Sequence, residues 1–450
     1  MKENVACDWI TANRELLINT SDQIWELAET AMNEHQTAAI FKNILSDHGF
    51  TVEANVPGLP TAFRASWGQG KPVIGFLAEY DALPSLSQKA VPYQEPLKTG
   101  AGGHACGHNL LGVGSLGAAL GLQQDIMENG LPGTVVFLGC PAEEIMIGKV
   151  QMAKEGFFDD LDAALTWHPS CVNLVIEQSM MAGNSIKFNF YGRSSHAAAA
   201  PDLGRSALDA VELMNIGVNY LREHVPSDVR MHYAITSGGG EPNVVPAFAQ
   251  VWYYLRAAQR EGVERVFRRV AKIAEGAAMM TETRVETEIL TECYEPLHND
   301  NLNKVLYECL IETSLPDWNQ EEHDFARKLA QSLLPAEYFD ANADYLVNGV
   351  MPLTGKHDLI PGSTDVANVT WITPTAQIMT CCQALGTPPH TWQAAASGGM
   401  SIGHKGMLYA AQVLARAGGK LLRDPELLAK AKEEFKLVIS NRNYQPPAQG

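Results

Sequence analysis

The chain lacks any run of roughly 18 apolar residues, so nothing in it reads as a membrane-spanning helix. Its first residues, MKENVACDWITANRELL, carry Asp8, Arg14 and Glu15 where a signal peptide would carry an unbroken apolar stretch. Basic residues are in deficit: 33 Lys and Arg face 51 Asp and Glu, a net charge of −18. Such a surface repels nucleic acid and anionic membranes, and an anionic substrate would need a local basic pocket. Cysteines are few, and the eight are scattered rather than spaced as a secreted disulfide framework. These traits predict a protein of the reducing cytoplasm. Repeats of fixed period and low-complexity tracts are also missing.

What is present is an ordinary globular composition, 46% hydrophobic and 19% charged over 450 residues. That length exceeds what one core usually covers, so two domains are expected. Helical spacing of apolar residues predicts helices over 9–31, 36–48, 110–128 and 403–418. Short apolar runs predict strands at 61–67, 72–78, 133–139 and 163–167. The alternation argues for an α/β sheet with helices on both faces. From residue 184 the texture changes to strand, helix, strand, strand, helix, strand, ending near 290. This order is that of a ferredoxin-like α+β module, and it reads as an insertion because the α/β texture resumes afterwards. The expected organisation is a catalytic domain in two segments, 1–182 and 293–450, interrupted by a module at 183–292.

Four segments carry residues fit for chemistry. GAGGHACGHNLLG (100–112) sets His104, Cys106 and His108 at alternate positions in a loop whose glycines let backbone approach a ligand closely. Cys and His together suit zinc, manganese or cobalt. GTVVFLGCPAEE (133–144) ends a buried strand in two adjacent carboxylates, Glu143 and Glu144. Neighbours in such a turn point in different directions, so one can bind a cation while the other faces a water. ALTWHPS (164–170) places His168 after a strand, and GFLAEYDALP (75–84) places Asp81 where it could orient a ligating imidazole. Taken singly, each has a bland alternative: a buried cysteine, a packed histidine, a solvated acidic pair. Several strand ends of one sheet, each delivering a ligand-type residue with a spare carboxylate beside one of them, argue for a metal cluster with its own base.

Further motifs are SSHAAAAPDLGRSALDA (194–210), GGGEPNVVP (238–246), GSTDVANV (362–369) and PPHTW (388–392). With AEYDALP, GHACGHN, CPAEE and WHPS, they make the chain resemble the aminoacylase and carboxypeptidase G group of co-catalytic metallopeptidases, over nearly its whole length. Within that group it is similar to the amidohydrolase branch of hippurate, auxin-conjugate and p-aminobenzoyl-glutamate hydrolases, and its last two motifs most resemble the B-subunit type of the last. The resemblance implies a dinuclear-metal catalytic domain on a mixed sheet, with the inserted module serving as lid and dimerisation domain. It implies two divalent ions, zinc or manganese with cobalt also accepted, on Cys106, His108, Glu144, His168 and His390. His404 rivals His390 for the last place. It makes Glu143 the general base for a water shared by the two ions, and Asp81 the support of a ligating histidine. It assigns His196 to the oxyanion of a partner subunit's site, and Asn243 and Arg256 to the substrate's carboxylate. The branch that ligates through histidine at position 79 is not matched, because Glu79 stands there.

The reaction implied is hydrolysis of an N-acyl amino acid such as p-aminobenzoyl-glutamate, by a homodimer or by a hetero-oligomer with a paralogous subunit. Two other readings remain open at this point. One is a cysteine hydrolase with Cys106 as nucleophile, in which Glu143 and Glu144 would have no role. The other is a metal-binding homologue that is inactive by itself.

Overall fold

The computed structural model describes residues 4–54, 56–440, 442 and 444. Its strands, in chain order, are β1 (Thr51–Glu53), β2 (Phe63–Gln69), β3 (Val73–Glu79), β4 (Gly133–Cys140), β5 (Ala163–Ser170), β6 (Leu174–Val175), β7 (Ala182–Tyr191), β8 (Arg230–Ser237), β9 (Phe248–Ala257), β10 (Arg284–Cys293) and β11 (Thr375–Cys381). The described residues pack as two units. One takes its described residues from Met1–Gln178, Leu297–His357 and Val369–Tyr444; the other takes its from Ser179–Pro296 and Asp358–Asn368. The second unit thus extends a few residues beyond the expected 183–292 at either end. It also takes in the 358–368 segment, which the sequence assigned to the catalytic domain.

The first unit is built on a seven-stranded mixed sheet in the order β1-β2-β4-β3-β5-β11-β6. Strands β4, β3, β5 and β11 run parallel at its centre, and β2 and β6 run antiparallel to their neighbours. Every residue of β3 is buried. That explains a continuous apolar run with no alternation, since helices cover both faces of such a strand. Helix His108–Asn129 is correspondingly apolar all round and packs against the sheet and helix Ser401–Arg423. Its small residues permit the close approach: a methyl group at Gly114 would stand 2.7 Å from the Trp167 indole.

Several expectations shift. The helix expected over 9–31 is two helices, Val5–Ala12 and Arg14–Leu27, parted at Asn13. Strand β5 continues past Trp167 to Ser170, so His168 lies within the strand rather than after it. Helices Asp300–Glu312 and Gln320–Leu333 were not singled out from the sequence. No helix of the described residues is long and apolar enough to cross a membrane.

The second unit is an antiparallel sheet in the order β10-β7-β9-β8, with helices Ala207–Leu221 and Arg260–Met280 between the strands in sequence. Buried residues alternate along β9, as a sheet covered on one face requires. They join the apolar stripes of both helices in a core of their own. The chain order is the ferredoxin-like one read from the sequence.

Candidate metal centre

Because β3, β4 and β5 are parallel, their carboxyl ends lie on one side of the sheet. Asp81 follows β3 by two residues, Glu143 and Glu144 follow β4, and His168 sits near the end of β5. Cys106 and His108 come from the loop that enters helix His108–Asn129. That loop turns at Gly107, whose φ of 77° is left-handed and where a Cβ would meet the Pro169 ring at 2.9 Å. Glycine is needed there on both counts.

Three groups of side chains bring ligand atoms within 4.8 Å of one another: Cys106 with His108 and His168, Cys106 with Glu144 and His390, and Glu79 with His108 and Glu143. Cys106 belongs to the first two, so its sulfur is common to both. The five residues named as ligands from the sequence are therefore neighbours. His404 is not among them; its Nε2 lies 2.8 Å from Asp22 Oδ1. His390 instead has its Nε2 3.3 Å from Glu144 Oε2, and its backbone N–H donates to the Ala105 carbonyl at 3.0 Å. Its φ of 60° is unusual for a non-glycine residue, and Ala142 and Met146, either side of the Glu143–Ile145 turn, are left-handed too. Non-glycine residues held this way cluster at functional sites.

Hydrogen bonds fix which imidazole nitrogens face the cluster. His108 Nδ1 donates to Asp81, at 3.0 Å to Oδ1 and 3.1 Å to the carbonyl. His168 Nδ1 donates to the Pro169 carbonyl at 2.8 Å. Both rings then turn Nε2 inward. The second oxygen of Asp81 accepts the Glu144 backbone N–H at 3.0 Å. Glu34, which the sequence analysis missed, is buried and accepts the Ala142 N–H at 2.9 Å and the Thr61 hydroxyl at 2.9 Å. Burial, reinforced by the Asp81 charge, pushes its carboxyl up to about 7.

Burial alone would raise the Cys106 thiol, but the imidazoles of His168 and His108 outweigh it and hold the group well below its ordinary value. The Cys106 sulfur and the Glu144 carboxylate beside its ring push His390 up to about 10. His104, in the same loop, differs: burial takes it down to about 3, and its Nε2 donates to the Ile24 carbonyl at 3.1 Å. It is a packed neutral histidine.

The donor set fits divalent cations. His108 Nε2 and Glu144 Oε1 are buried with no hydrogen-bond partner, a cost that bound cations would remove. The 3.3 Å between His390 and Glu144 exceeds a normal N–H···O bond. It matches the roughly 3.4 Å between two donors that each stand about 2.1 Å from one tetrahedral ion.

The sequence profile of Peptidase family M20/M25/M40 matches residues 75–334. The chain belongs to this family. Its members hydrolyse amide bonds, and this chain is an M20-type amide hydrolase. It is 42% identical to the B-subunit of p-aminobenzoyl-glutamate hydrolase from Escherichia coli (strain K12), over 98% of this chain and 96% of that protein. It is 29% identical to the Xaa-Arg dipeptidase of Mus musculus, over 96% of this chain and 92% of the relative. Among solved structures, a dinuclear metal binding peptidase of the M20 family from Bacillus subtilis shares the fold, with a TM-score of 0.57 at 19% identity, covering 92% of this chain and 99% of that one.

The remaining candidates of this M20 chain lie in the second unit. His196 is exposed, and its Nδ1 accepts the backbone N–H groups of Ala198 and Ala199 at 3.2 and 3.1 Å, which leaves Nε2–H as the donor of the neutral ring. Asn243 is its neighbour, with its carbonyl accepting the Ala197 N–H at 2.9 Å. Arg256 donates through Nη1 to Ser363 at 3.1 Å, within the GSTDVANV motif, and lies over the Tyr254 ring at 5.6 Å. Its Nε is buried without a partner.

Proposed function

We propose that this M20 chain cleaves the amide bond of an N-acyl amino acid, with an aromatic acyl-glutamate of the p-aminobenzoyl-glutamate type as the first substrate to test. Cys106, His108, Glu144, His168 and His390 would hold two divalent cations, zinc or manganese, with cobalt also compatible with the donors. The observation that carries this is the convergence of those five side chains, with His108 Nε2 and Glu144 Oε1 buried and unpartnered. When bound, the cations polarise the amide carbonyl and lower the pKa of a water from ~16 towards roughly 7.

The chain's own residues do the rest. Glu143 takes a proton from the attacking water and passes it to the leaving nitrogen. Asp81 keeps His108 in the tautomer that turns Nε2 inward and holds the Glu144 backbone in place. His196 donates its Nε2–H to the oxyanion, from its own chain or from a partner subunit. Arg256, with an unpartnered guanidinium N–H, and Asn243 bind the substrate's carboxylate. A fixed cation of this kind explains how a protein of net charge −18 holds an anionic substrate.

A homodimer, or a hetero-oligomer with a subunit related to this one, is the assembly we propose. The similarity to a protein named as one subunit of a hydrolase supports the second form. The test is to strip the purified chain with a chelator, restore zinc or manganese, and follow a panel of acyl-amino acids and dipeptides by mass spectrometry. Cleavage that requires restored cation is expected. Turnover that survives stripping but is abolished by thiol alkylation would favour Cys106 as a nucleophile instead.

A further inference from the structure

Beneath the candidate centre lies a charged pair that the mechanism above does not use. Glu79, the last residue of β3, and Lys149, in helix Gly148–Lys154, both have buried side chains. Lys149 Nζ stands 2.8 Å from Glu79 Oε1. The helix start packs so tightly on the end of β4 that a Cβ at Gly148 would lie 1.7 Å from the Pro141 carbonyl oxygen. Lys149 itself is fully buried, with its ammonium turned to Glu79 rather than to solvent.

The other oxygen of Glu79 faces inward. Glu79 Oε2 is 3.4 Å from His108 Nε2, the nitrogen left over once Nδ1 is committed to Asp81. That separation is too long for a good N–H···O bond. It repeats the spacing of His390 and Glu144 and equals the roughly 3.4 Å between two donors on one tetrahedral ion. Glu79, His108 and Glu143 form one of the three groups of converging ligand atoms. A buried carboxylate costs several kcal/mol unless it is compensated; the Lys149 ammonium stands against Oε1 as an ion pair, and Oε2 is the oxygen nearer His108.

We propose that Glu79, clamped by Lys149, is a further carboxylate directed at the cation that His108 holds, and that the pair tightens that cation's binding. The inference rests on the two-cation reading above. Lys149 acts through Glu79: it offsets the carboxylate's charge and keeps one oxygen turned away, so that the other alone faces inward.

The experiment measures cation content by elemental analysis and cation affinity by chelator competition, on the full-length protein. The variants are Glu79→Gln, Lys149→Met, Lys149→Arg and the double Glu79→Leu/Lys149→Met. The wild type is expected to hold two ions per chain. Glu79→Gln and Lys149→Met should weaken one of the two by about 10- to 100-fold, with the other unchanged. Lys149→Arg, which keeps the charge, should hold that ion more tightly than Lys149→Met. The double variant guards against misfolding, because an apolar pair of similar volume often replaces a buried ion pair without loss of stability. It should melt like the wild type and still bind one ion weakly. Wild-type affinity for both ions in folded Glu79→Gln, or in the double variant, would overturn the proposal while leaving the two-cation reading intact. A wild type that binds no ion would overturn both.

Discussion

Asp81 Oδ1 lies 3.0 Å from His108 Nδ1, with both side chains fully buried. The same carboxylate reaches the Glu144 backbone with its other oxygen. One residue thus sets the ring orientation of one candidate ligand and the backbone position of another. Asp81→Ala should lower cation affinity by about 10- to 100-fold, with circular dichroism little changed. Chelator competition reads the affinity; a wild-type value would show that Asp81 does not support His108.

Glu143 is assigned a proton-transfer role and no ligand role. Glu143→Gln keeps the shape and removes the base. Turnover should fall by roughly 100- to 10,000-fold, while elemental analysis still finds the wild-type cation content. Loss of cation together with activity would move Glu143 into the ligand set.

His196→Ala, on an exposed loop of the second unit, should keep both cations and the melting temperature. Removing one oxyanion donor typically costs about 100-fold or more in kcat. Unchanged turnover would take His196 out of the mechanism. Mixing this variant with Glu143→Gln distinguishes action within one chain from action across subunits: recovered activity means that His196 serves a partner's site.

Stability has its own titration. His298 and His357 stack with ring centroids 4.0 Å apart, and His298 Nε2 is buried without a partner. Burial first, and the His357 charge second, lower His298 from 6.5 to about 4. A histidine lowered on folding contributes stability that is whole above its unfolded value and is lost as pH falls towards the folded one. The window here is therefore pH 6.5 down to about 4. Replacing His298 with Gln removes the titration. Urea unfolding at pH 7 and pH 4.5 should show an acid loss smaller in the variant, by on the order of 1–2 kcal/mol. Equal losses would show that His298 does not titrate across that range.

The ends of β3, β4 and β5 were legible because each combines a buried apolar run with a ligand-type residue close by, a signal contained in a few consecutive positions. Helices Asp300–Glu312 and Gln320–Leu333 went unmarked although the signal is local: Asn299 and Asn319 cap them, and Leu302, Val305, Leu306 and Leu310 in the first and Phe325, Ala326, Leu329 and Ala330 in the second recur at helical spacing. Lys149 gave no signal at all. A lysine at the start of a short helix reads as solvated, whereas in the fold Lys149 is fully buried against Glu79. The resemblance favoured His390 over its rival His404, and the structure sets His390 beside Glu144 while His404 pairs with Asp22.

By itself the sequence determined the α/β character, the inserted ferredoxin-like order and the kinds of donor available, because periodicity and residue chemistry are local properties. The tertiary structure decided which donors meet. It made Cys106 common to two groups, put His390 rather than His404 beside Glu144, and brought Glu79 and Lys149 beneath His108. Those encounters join residues far apart in the chain, and only the packing of helices onto the parallel strands fixes the distances between them.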